Sequence, residues 1–336
     1  MYWLALLACQ APEPQMISLE GEVFGSDWHV KYVEAKGAPP VEEVVTALQA
    51  VFERIDSRLS TWKPDSDLSR AQSGTGPVVI SAESAHVVDL ALNLARESGG
   101  AFEPTLGPLT ELWGLHGERR TTLPSADELA AARARVGWEK VQLGYGIGGP
   151  TLDAGGTTFD VNGIAPGYAA DAVALELSAL GIPDHMVEVG GEVRVDGAGA
   201  SGGRWRLGVD RPKGGTEMGA ELLATLDVSN CGVSTSGNYR NVYEVEGVRI
   251  VHTLDPMSGM PVERGILSAT VIAPTAAEAD GWATILMVLG DPGRELLEAR
   301  PDLEALIVYE GDPEPVLRGT PGMKRWMSPE SATLLK

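Results

Sequence analysis

Cysteine, aromatic side chains and positive charge are scarce in this 336-residue chain, and each shortage removes a class of answers. Two cysteines, Cys9 and Cys231, are too few for a disulfide-stapled scaffold. Aromatic residues make up 6% against 43% hydrophobic residues, so an ordinary globular core has to be built mostly from aliphatic side chains. Lys and Arg number 26 against 47 Asp and Glu, a formal net charge of -21 at pH 7. That field repels phosphate backbones and anionic lipid surfaces, which argues against nucleic acid as a partner. A phosphate-bearing substrate must then be held by a metal, by helix termini and by local amides, which screening over about 8 Å at physiological salt permits. No segment approaches the roughly 20 apolar residues of a membrane span.

What is present starts with a short apolar run. Met1 to Cys9 ends in Leu6-Leu7-Ala8-Cys9 and gives way to the polar, Pro-containing Gln10 to Gln15. The run resembles the lipobox of a bacterial lipoprotein signal, in which the cysteine becomes the lipidated first residue, although the basic n-region is absent and the apolar part is short. On that reading residues 1–16 are anchor and tether and residues 17–336 the folded domain. The protein is then expected in the periplasm, anchored to a bacterial cell membrane by lipid on Cys9, with Cys231 unpaired.

Along the body, Ile17 to Val33 alternates as a hairpin around Gly25, and Val41 to Leu59 has the spacing of an amphipathic helix. Ser60 to Leu68 reads as a loop, Ser84 to Glu97 as a helix closed by Gly99-Gly100, Ser125 to Val136 as a capped helix, and Tyr145 to Pro150 as a Gly-rich turn. Val187 to Val195 predicts two short strands around Gly190-Gly191. No linker-like break and no repeat interrupts the chain, which predicts one α+β domain of mixed topology with two lobes at most.

Two segments carry candidate chemistry. Thr275 can cap a helix from about Ala276 to Leu289, with Glu278 three residues later and Gly290 beyond its end. Asp280 and Thr284 then lie four apart on one face, an oxygen pair suited to a hard cation such as Mg2+. The same pair also suits a plain helix start, where the dipole favours an acid and a Thr is half buried. No soft ligands or His pair accompany them, so zinc does not fit. Upstream, Thr158 to Asp171 describes a short strand ending in Asp160, a turn with Gly163, and a helix with Pro166 in its first turn. Free N–H groups at such a junction can hold phosphate; a tight turn needing glycine reads the same way. His252, at the end of the strand-like Val248 to Val251 and before the Asp255-Pro256 turn, is a structural residue or a general base.

The ordered motifs STW-KPDSDLSR, GPLTELWG, FDVNGIAPGYAAD, VEVGGEVRVDG, GVSTSGNYR, VHTLDPMSGMPV and VIAPTAAEADGWAT resemble the ApbE family of FAD:protein FMN transferases, from about Leu19 to Pro329. The resemblance implies an ApbE-like (T-fold-like) domain with mixed sheets and flanking helices. It also implies FMN transfer from FAD to a Thr or Ser hydroxyl of an acceptor protein through a phosphoester bond, with release of AMP and a requirement for Mg2+. Asp280 and Thr284 match the family's metal ligands, and Gly163 matches a position that adds a backbone carbonyl. Asp160, Ala101, Phe102, Glu103, Phe24, Trp62, Pro166 and Leu254 match positions that contact FAD, and His252 matches the histidine taken as general base. The acceptor is expected to be a membrane-bound or exported flavin redox protein.

Several matched positions depart from the commoner pattern. Trp62 stands for Tyr, keeping an aromatic face without the hydroxyl; Pro166 stands for Lys or Glu and removes an N–H. Glu103 stands for Asp and Phe24 for Met, and Ala283 sits where some members have a second acid. Three other functions remain open to the sequence: an FAD pyrophosphatase releasing FMN and AMP, a non-catalytic FAD-binding lipoprotein, and a member without flavin function.

Overall fold

The structure is a computed structural model that describes residues 15–115, 117–212, 219, 221–239, 242–262 and 264–336. Cys9 and the apolar run before it lie outside the described residues. In chain order the first half holds β1 (Met16–Val23), β2 (Ser26–Val33), α1 (Val41–Leu59), α2 (Asp67–Ser73), β3 (Val78–Val79), α3 (Ala82–Glu97), α4 (Gly107–Leu112), α5 (Ala126–Arg133), β4 (Gln142–Gly146) and β5 (Gly149–Asp153). The second half holds α6 (Ala165–Ala179), β6 (His185–Val189), β7 (Glu192–Asp196), β8 (Trp205–Asp210), β9 (Leu222–Val228), β10 (Cys231–Gly237), β11 (Val242–Val245) and β12 (Val248–Val251). It closes with β13 (Ile266–Ala273), α7 (Ala276–Leu289), α8 (Asp291–Glu298), β14 (Glu304–Tyr309), β15 (Val316–Gly319) and α9 (Pro329–Ala332).

An antiparallel sheet in the order β1-β2-β6-β7-β10-β13-β14-β15 forms the backbone of the α+β fold. One face carries the main core, in which α1, α3, α6 and α7 bury aliphatic side chains such as Leu48, Val88, Val173 and Leu286 against it. The other face is covered over β7 to β14 by the separate β8–β9 hairpin and the C-terminal segment, around Trp205, Leu226 and Met327. α7 is buried on nearly every side, which its almost wholly apolar sequence allows. It starts on β10, where a Cβ at Gly232 would fall 2.2 Å from the Ala276 nitrogen, and it crosses α6 where a Cβ at Gly167 would fall 2.5 Å from the Ala276 oxygen. Glycine at both positions lets backbone meet backbone.

Local expectations and structure differ in three places. Asp67 and Leu68 begin α2, capped by the Ser66 hydroxyl accepting from the Ser69 N–H at 3.0 Å, because the cap stops the loop earlier than its composition suggests. The Gly-rich turn expected at Tyr145 to Pro150 is present, as the tip of the β4–β5 hairpin. α5 ends at Arg133, before Val136. The segment before α6 is no strand; it makes a single bridge, Thr158 to Leu106, since the α4 segment passes it only once.

Candidate active site

The start of α7 is fixed twice. The Thr275 hydroxyl accepts from the Glu278 N–H at 3.1 Å, and the Asp171 carboxylate, from α6, accepts from the Ala276 and Ala277 N–H groups at 2.9 and 3.0 Å. Burial raises the Asp171 pKa to about 6 even though those bonds and Arg194 oppose it. One turn further on, Asp280 is 4% exposed. The Gly167 N–H donates to its carboxylate, while Oδ2 is buried with no hydrogen-bond partner. Burial lifts the Asp280 pKa well above the ordinary carboxylate range. An orphaned carboxylate oxygen is expensive inside a protein, and a cation would satisfy it. A Cβ on Gly163 would lie 3.2 Å from the Thr284 Oγ1, so this backbone passes close to the second expected ligand. A carboxylate, a hydroxyl and nearby backbone fit a hard cation that leaves places for substrate phosphates. Among the described residues no three His, Cys, Asp or Glu side chains form a metal cluster.

These residues open onto a cavity of about 1900 Å3, and every residue singled out for flavin, metal or catalysis lines it. Trp62 is 78% exposed at its lip. Phe24 lies in the two-residue β1–β2 turn with φ 55°, followed by Gly25 at φ 77°, and meets the Phe52 ring edge-on at 6.2 Å. A bulky side chain in the left-handed region is strained, and such strain concentrates at ligand sites. Pro166 sits in the first turn of α6, where its missing N–H leaves no helical bond unmade. Asp160 is placed by its N–H donating to the Pro104 oxygen at 2.8 Å. Leu254 is buried and bridges Pro261.

Ala101, Phe102 and Glu103 are buried, and Glu103 also bonds within the protein. Its Oε1 accepts from the Thr105 N–H and hydroxyl at 2.8 and 2.6 Å, and its Oε2 accepts from the Trp138 N–H at 3.1 Å. The carboxylate therefore ties its own loop to the Gly137 turn, and burial raises its pKa. His252 is open to the cavity. Desolvation by the cavity wall lowers its pKa, which favours the neutral imidazole. The following turn is held by Asp255, which accepts from the Met257 N–H and the Ser258 hydroxyl, both at 2.9 Å.

Residues 24–307 match the model of the ApbE family. The chain belongs to the ApbE family. An FAD:protein FMN transferase of Klebsiella pneumoniae is 36% identical over 331 residues, covering 97% of this chain and 91% of the relative. One from Salmonella typhimurium is also 36% identical, covering 98% and 94%. The flavin transferase ApbE from Vibrio cholerae superposes with a TM-score of 0.84 at 29% identity, over 93% of this chain and 99% of that structure. The apo flavinyl transferase ApbE of Pseudomonas stutzeri gives 0.82 at 33% identity, over 93% and 97%. ApbE-family architecture thus extends over the α+β domain, which carries the cavity.

Other polar residues at the ApbE-family cavity escape sequence reading. His29 Nδ1 lies 2.5 Å from Glu188 Oε2, and Glu188 Oε1 accepts from the Gly191 N–H at 2.7 Å. Alternation on β2 and β6 puts His29 and Glu188 on one face, but only the register pairs them. Asp171 closes the FDVNGIAPGYAAD motif, but its role as the second cap of α7 shows only where the two helices meet.

Proposed function

We propose that the chain is a Mg2+-dependent FAD:protein FMN transferase that modifies a Thr or Ser hydroxyl of an acceptor flavoprotein and releases AMP. As a member of a family of flavin transferases it is a transferase, with FAD as its flavin substrate. The observation that carries the finer reading is the buried, unpartnered Asp280 Oδ2 beside Thr284 and Gly163, in one cavity with His252. Asp280 and Thr284, with the Gly163 backbone nearby, would hold Mg2+, which would supply positive charge to the substrate pyrophosphate. The acceptor hydroxyl attacks the FMN-side phosphorus, forming a new P–O bond, while the bond to the AMP-side oxygen breaks and AMP leaves with that oxygen. His252, neutral at pH 7, takes the hydroxyl proton. On this reading Phe24, Trp62, Ala101, Phe102, Glu103, Asp160, Pro166 and Leu254 contact the dinucleotide, which their common position on the cavity wall supports. Small-molecule sites are commonly about 300–1,000 Å3. The cavity here, about 1900 Å3, has room for an acceptor segment beside FAD, which favours transfer over hydrolysis.

Lipid anchoring through Cys9 in the periplasm is part of the same proposal and is supported by the Leu6-Leu7-Ala8-Cys9 run. A membrane-bound or exported redox protein is the acceptor such a location favours. Incubation with FAD, Mg2+ and a candidate acceptor tests the reaction. Covalent acceptor fluorescence in a denaturing gel is expected; free FMN would indicate a pyrophosphatase, and intact FAD a binding protein. His252→Ala should keep FAD binding and lose about 10² to 10⁴ in transfer rate. Normal transfer in that variant would sink the role of His252.

A further inference from the structure

Glu192 opens β7 directly after the Gly190-Gly191 turn and has no role in the reaction described above. In the antiparallel β7–β10 pair, Val193 faces Val233 and Arg194 faces Gly232, so Glu192 comes opposite Ser234. The side chains of Glu192, Arg194 and Ser234 therefore share one face. That is the face α7 covers, since Gly232 touches the Ala276 nitrogen and the Arg194 guanidinium donates to the Pro274 oxygen. Two residues along the strands is about 7 Å, and one turn along the helix about 5.4 Å, which brings Glu192 level with Asp280. Both carboxylates line the cavity.

Among the described residues no protein cation pairs with Glu192 or Asp280. Arg194 is turned away, its Nε and Nη2 donating to Asp196 at 2.9 and 2.7 Å. The foremost charges acting on Glu192 are those of Asp280 and Glu188, both negative. Among the described residues its side chain meets the Ser234 hydroxyl at a long 3.4 Å, and the Asp280 Oδ2 has no hydrogen-bond partner. Two like charges facing each other in the interior destabilise the fold unless a cation lies with them.

We propose that Glu192 supplies a second carboxylate to the cation site, so that the site is built from β7 as well as α7. This rests on the reading of Asp280 and Thr284 as cation ligands, and the two failures can be told apart. Mn2+ binding to the full chain without flavin, followed by the loss of the free-ion EPR signal, is the measurement. Glu192→Gln should weaken Mn2+ binding about 10- to 100-fold. The thermal midpoint of its metal-free form should be unchanged or higher, because a repulsion is gone, and the rise in midpoint on adding Mg2+ should shrink. Asp280→Asn should abolish Mn2+ binding. Unchanged affinity in Glu192→Gln with loss in Asp280→Asn would overturn the Glu192 inference alone. Unchanged affinity in both would overturn the cation site as well. A fall in the metal-free midpoint of Glu192→Gln, or failure to fold, would show that the carboxylate serves the fold and would equally overturn the proposal.

Discussion

His252 shows what a single residue owes to its surroundings. An exposed imidazole titrates near 6.5, whereas desolvation at the cavity wall lowers the His252 value and keeps the ring unprotonated at neutral pH. Transfer that needs the neutral base should therefore reach half its plateau below about 6.5 on acidification. A pH–rate profile under saturating FAD measures this; a midpoint above 7 would contradict it. The residue type and its place before Asp255-Pro256 were legible in the sequence, but the direction of the shift was not, because desolvation depends on neighbours from distant segments. Glu103 makes the same point. The resemblance matches it to an FAD-contacting position and it lines the cavity, while its oxygens also accept from Thr105 and from Trp138, a partner 35 residues away that the sequence did not reveal.

At the scale of elements, the site depends on how α6 meets α7. Gly167 gives its N–H to Asp280 and lets the Ala276 oxygen approach to where a Cβ would be, while Asp171 one turn later caps the α7 N-terminus. Gly167→Ala places a methyl 2.5 Å from that oxygen, so the helices must separate. We expect a loss of about 1–3 kcal/mol, read from urea unfolding, together with weaker Mg2+ binding as Asp280 is displaced. An unchanged unfolding midpoint would show that the crossing tolerates the extra atom. The span of α7 was legible because Thr275, Glu278 and Gly290 are local signals that act within a turn of the helix. The segment before α6 was not, since a strand exists only where another strand pairs with it, and Thr158 finds a single bridge.

The whole molecule stores negative charge around one cavity, and its stability should register this. Asp171 titrates at about 6 in the fold and near 3.9 when unfolded, so between those values the folded chain holds a proton that the unfolded chain has released. Its contribution is full below about pH 4 and is lost as pH rises through about 6, amounting to up to roughly 3 kcal/mol. Burial moves Asp280 and Glu192 the same way, which extends the decline toward higher pH. Asp196, lowered to about 2, acts oppositely below about pH 4. His252, lowered from 6.5, acts oppositely just below 6.5, where the raised carboxyls of Asp280, Glu192 and Asp171 outweigh it. Metal-free protein should accordingly unfold at higher urea near pH 5 than near pH 8, and Mg2+ should narrow the gap; equal midpoints in EDTA would refute this. The sequence by itself determined the α+β class, the family, the helix bearing Asp280 and Thr284, and the residue types of the site, because caps, periodicity and ordered motifs are local properties of the chain. Only the tertiary structure decided that Asp280 Oδ2 has no partner, that Glu188 meets His29 and that Glu192 faces α7. Those facts follow from strand register and helix crossing, which bring together residues far apart in the chain and set which charges lose their water.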